Sequence, residues 1–131
     1  MKILDVFLKV VLSLILAMPV LGAFGLLGEP SRELYNTDIA FAFIQMLTDT
    51  GYVIWMMVVV HLLALAAFWT RREALAALLI APITLNVVAF HLVIDGGLFT
   101  SGAVLGNVML LLNAYFVWKY RAAYRELLRS R

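Results

Sequence analysis

There is no cysteine in these 131 residues, and charged side chains make up only 14% of them. The first absence excludes disulfides, thiolate metal sites and dithiol redox chemistry within the chain. The second excludes an ordinary soluble domain, in which about 25% of residues are charged. Histidine is scarce too, at two residues, and proline at three. Hydrocarbon fills the space, with 65% of the residues hydrophobic. A soluble domain of this size has too much surface for its volume to hide so much apolar area. What remains is a single domain, spanning 1–131, whose solvent is a bilayer.

A membrane helix needs about 20 mostly apolar residues. Four stretches qualify, at about 7–27, 52–69, 74–94 and 103–118, separated by segments rich in turn residues and charge. Nine of the ten Lys and Arg residues fall on one side of that arrangement, and only Arg32 on the other. Basic residues flanking spans stay cytoplasmic. The expectation is therefore an all-α polytopic membrane protein, a four-transmembrane-helix bundle with both termini cytoplasmic and segment 28–50 outside. The N-terminal stretch is built like a signal peptide, but its apolar run is long and Lys9 interrupts it. It is expected to stay as a membrane anchor.

Segment 28–50 is more than a linker. "TDIAFAFIQMLTDTG" places Ile39, Phe43, Met46 and Leu47 at helical spacing, with Thr37 as an N-cap. This predicts a short amphipathic helix along the outer surface. The tail "KYRAAYRELLRSR" sets Tyr120 and Tyr124 on one face and arginines on the other, which suits an extension of the fourth span lying on anionic lipid.

Polar groups in the hydrocarbon region are costly unless paired, so each is a candidate for a site. Span two carries His61; span three carries Thr84, Asn86 and His91; span four carries Asn107 and Asn113. At about 1.5 Å per residue, His61 lies roughly 14 Å and Asn86 roughly 13 Å from the outer ends, and His91 only about 6 Å. Haem ligation by both histidines would need them at one level. The depths instead match His61 with Asn86, as a hydrogen-bonded pair between spans two and three. Two histidines without thiolates or a third ligand also make a poor zinc site. His91 has Asp95 four residues on, within reach on the same helix face. The candidate ligand-binding residues are thus His61, Asn86, His91 and Asp95, with the alternative that they only pack helices together. Pro82 is expected to kink span three. Gly102 and Gly106 form a GxxxG that permits close helix approach.

Three stretches, "TGY" at 50–52, "APITLNVVAFHLVID" at 81–95 and "LLLNAYFVWKYRAAYRELL" at 110–128, resemble the DoxX-like family of small four-helix bacterial membrane proteins. The resemblance covers residues 50–128 and is loose before that. It implies a bundle in the bacterial cytoplasmic (inner) membrane and an association with redox complexes, including quinone-coupled ones. Where many relatives carry a glutamate in span two, this chain has His61.

No nucleotide-binding loop, nucleophile constellation or metal-ligand cluster is legible, so no catalytic or metal residue is expected. The leading expectation is a non-catalytic accessory subunit packing against a larger, respiratory or redox, membrane complex or against copies of itself. The alternative is a protein that binds a quinone or lipid-like molecule inside the bundle. Apart from a quinone no cofactor is expected, and the bilayer rather than nucleic acid is the surrounding partner.

Overall fold

The computed structural model describes residues 3–129. Among them every regular element is helical: α1 (Ile3–Ala23), α2 (Asp38–Thr50), α3 (Tyr52–Trp69), α4 (Glu73–Val93), α5 (Ala103–Lys119) and α6 (Arg121–Leu127), with one 3₁₀ turn at Arg32–Leu34. Three of these, α1, α3 and α4, are long and apolar enough to cross a membrane, with mean hydropathy of 2.3, 2.1 and 2.1. The 17 residues of α5 form a shorter apolar helix. Against the sequence expectation, α3 has the expected bounds, α4 and α5 differ by one residue, and α1 begins four residues early.

α4 packs along α3 on one side and α5 on the other, while α1 leans on α3 and more lightly on α5. Small side chains allow the approach: Ala64 and Ala67 of α3 and Ala76 and Ala77 of α4 are buried, and Phe68 meets Phe116 edge to face at 5.2 Å. The apolar residues that do not enter this core lie on the outside. Leu14, Leu62, Leu85 and Leu111 are all exposed. Helices apolar all round need an apolar solvent, and each span's low burial fits that need.

Sharp turns join the helices. Gly51, at φ 72°, ends α2 and starts α3 in a single residue, and Gly96 and Gly97, at φ 90° and 109°, close α4 by letting the Gly97 N–H reach the His91 carbonyl at 2.8 Å. Only glycine takes such angles without strain. α2 forms as the sequence predicts: the Thr37 hydroxyl accepts the Ala40 N–H at 3.0 Å. Its inward face is Ala40, Phe41, Ile44 and Leu47, whereas Ile39, Phe43 and Met46 turn outward. The C-terminal helix does not simply extend α5. The chain breaks at Tyr120, and α6 is held back by the Tyr124 hydroxyl donating to the Ala74 carbonyl at 2.9 Å.

Candidate functional site

Three polar centres lie within this apolar frame, one at each end of the helix stack and one between them. The end that gathers the start of α1, the α3–α4 turn and the end of α5 also carries most of the basic residues among those described. There Lys9, 4% exposed, donates to the Glu73 carboxylate at 2.8 Å and to the Phe68 carbonyl at 3.0 Å. One helical turn before it, Asp5 accepts from Lys119 at 2.8 Å and from the Tyr115 hydroxyl at 2.7 Å. These contacts tie α1 to both α4 and α5. On the sequence, Lys9 and Lys119 are sidedness charges; the structure gives them buried carboxylate partners. The one local signal is that Asp5 and Lys9, four residues apart, share a face of α1; their partners on α4 and α5 lie far away in the chain.

The opposite end is organised by Asp95, 1% exposed. His91 Nδ1 lies 3.0 Å from Asp95 Oδ2, the contact that the spacing predicts. The structure adds Asn36, whose backbone N–H donates to Oδ1 at 2.8 Å and whose side-chain amide donates to Oδ2 at 3.2 Å. Burial opposes the charge on Asp95, but the Asn36 N–H, His91 and the Asn36 amide outweigh it and hold the carboxyl below its ordinary range. The neighbouring Thr37 hydroxyl donates to the Ile94 carbonyl at 2.6 Å. Segment 35–37 is thereby clamped onto the end of α4. Tyr35 packs edge to face on Phe90, and its hydroxyl is pushed to a higher pKa by burial and by the Asp95 charge.

The GxxxG of α5 serves this same contact. A Cβ at Gly102 would stand 3.4 Å from Asp95 Oδ2, and one at Gly106 would stand 3.1 Å from Val87 Cγ1 and 3.4 Å from His91 Cδ2. The glycines let α5 lie directly against the imidazole and its carboxylate.

The third centre is His61, 2% exposed. Its Nδ1 lies 2.7 Å from the Met57 carbonyl one turn back. A carbonyl can only accept, so Nδ1 carries the proton and Nε2 presents a lone pair. Nε2 has no hydrogen-bond partner, yet no fully enclosed polar side-chain atom among the described residues lacks one. Nε2 therefore keeps open surface, and the open space that His61 borders is an apolar cavity of about 170 Å³ between α1, α3, α4 and α5. Ile15, Ile83, Val87 and Met109 form its walls. Met18 and Leu105, both about half exposed, stand at its rim, so it opens between α1 and α5. Pro19 and Met57 line this cavity and also a second one of about 350 Å³, which runs outward under α2 past Trp55 and Tyr35. Gly22 contributes to that outer space, and a Cβ placed there would touch nothing within 4 Å.

The pairing of His61 with Asn86 expected from equal depth does not form. Asn86 is exposed on the far face of α4, beside Phe43 and Phe90. The helical angle turns Asn86 away from His61. Of the four candidate residues, the structure thus joins His91 to Asp95, sets His61 alone at the cavity, and leaves Asn86 outside. Thr84 is satisfied within α4 by the Ile80 carbonyl, and the Asn113 amide donates across from α5 to the Ala77 carbonyl of α4, each at 2.9 Å. Asn36 escaped the sequence reading because nothing local marks it; it reaches Asp95 across 59 residues of chain.

No protein-family model, no curated protein and no solved structure matches this chain.

Proposed function

We propose that the chain is a four-span protein of the bacterial cytoplasmic membrane, DoxX-like in kind, with both termini inside, and that it binds a lipophilic small molecule of quinone or lipid type beside His61. The observation that carries this reading is the buried imidazole with an unoccupied Nε2 on an otherwise apolar cavity. Ligand sites are typically apolar concavities with a few placed polar groups, and helix bundles host them between facing helices. The second cavity under α2, which shares Pro19 and Met57 with the first, supports a route from the membrane interface, flanked by aromatic rings suited to that level. The antiparallel course of α1, α3, α4 and α5, with basic residues gathered at one end, supports the topology.

The organic extract of protein purified in mild detergent tests this. A lipophile recovered in near-equimolar amount, and lost when Met57→Trp fills the junction of the two cavities, supports the reading. A folded protein with an empty extract, and with no uptake of added decyl-quinone or of a long-chain phenol, overturns it.

A second reading, a non-catalytic accessory subunit beside a larger redox complex, is favoured by the outer rim. There Phe99, Leu26 and Leu34 stand exposed, at 104%, 70% and 65%, outside the ends of the helices. A stoichiometric protein partner in native mass spectrometry would support it.

A further inference from the structure

The proposed ligand site has walls of one hydrogen-bonding sense. His61 Nδ1 is committed as donor to the Met57 carbonyl, so in the neutral imidazole Nε2 can only accept. Pro19 sits inside α1 and has no N–H, which removes the helix bond that the Ile15 carbonyl would otherwise receive. Ile15 and Pro19 both line the cavity. The other polarizable atoms in the lining are the thioethers of Met18, Met57 and Met109, which accept weakly and donate nothing. Every remaining lining side chain is aliphatic or absent.

Resting on the reading of this cavity as a lipophile site, we infer that its ligand class is an amphiphile carrying a hydroxyl donor, a long-chain phenol or alcohol, in preference to a molecule offering only carbonyl or ether oxygens. A hydroxyl donates to His61 Nε2 while its carbon skeleton fills the apolar walls and its chain leaves between α1 and α5. A carbonyl or ether oxygen meets lone pairs alone and gains only the burial term. This inverts the simplest expectation for a histidine, that its N–H donates to a quinone carbonyl, because the N–H is already used within α3.

The test compares two probes that differ in the donor alone, 4-nonylphenol and its methyl ether 4-nonylanisole, titrated calorimetrically into the detergent-solubilised full chain. One neutral hydrogen bond corresponds to a preference of about tenfold at most. The expected result is a phenol that binds about threefold to tenfold more tightly than the ether, with the ratio falling to about one in His61→Leu while ether binding persists. Equal binding of both probes to the unaltered protein, with both lost in Met57→Trp, overturns the hydroxyl preference and leaves the cavity reading standing. Failure of both probes to bind, or binding unaffected by Met57→Trp, overturns the cavity reading itself. The comparison on the unaltered protein keeps the proposal falsifiable even if a variant does not fold.

Discussion

Removing the Asp95 carboxylate should unfasten the end of the molecule where segment 35–37 clamps onto α4, and the size of the effect follows from what it leaves behind. Asp95 is 1% exposed and accepts three bonds, two from Asn36 and one from His91. Hydrogen bonds to a charged acceptor are worth about 1.5–3 kcal/mol each before coupling. Asp95→Ala deletes all three and strands the Asn36 N–H and the imidazole donor, so the expected loss is about 3–5 kcal/mol. Asp95→Asn keeps the volume and one acceptor oxygen but turns an amide NH2 toward a donor, for about 1–3 kcal/mol. Denaturation by added SDS, followed by circular dichroism in mild detergent, reads both. The carboxyl titrates below the ordinary aspartate range in the folded state, so its contribution is present above that range and is lost as pH falls through the folded value. The gap between the native chain and Asp95→Asn should therefore be full at neutral pH and close below about pH 4. An Asp95→Ala protein within about 0.5 kcal/mol of the native one would refute the reasoning, since surface substitutions away from such features cost no more than that.

At the other end, Lys9→Met or Glu73→Gln alone should each cost about 3–5 kcal/mol by stranding a buried partner, and the double variant should cost less than the sum; an additive double-mutant cycle in the same SDS assay would dismiss the pair as a coupled contact. Because the chain has no cysteine, topology is open to single-cysteine labelling with an impermeant reagent in intact cells. Ser31→Cys and Ser101→Cys should react and Leu128→Cys should not; the reverse pattern would invert the proposed orientation.

Much of this molecule was legible without coordinates, wherever the cause is local. Apolar runs of span length mark α1, α3 and α4, because a helix able to cross a membrane must be apolar along its length. Thr37 reads as a cap and "DGG" as a stop because capping and positive φ are properties of a few adjacent residues. The His91–Asp95 contact is a matter of one helical turn, and spacing alone supplies it. Tertiary structure decided the rest. Equal depth could not reveal that Asn86 turns away from His61, because hydropathy is nearly uniform around these helices and leaves their facing angles to packing. Lys9 and Lys119 read as sidedness charges until folding brought Glu73 and Asp5 against them from 64 and 114 residues away. The cavity has no sequence signature at all. Its walls come from α1, α3, α4 and α5, and three-dimensional packing alone brings Ile15, Pro19, Ile83, Val87 and Met109 together beside one buried imidazole.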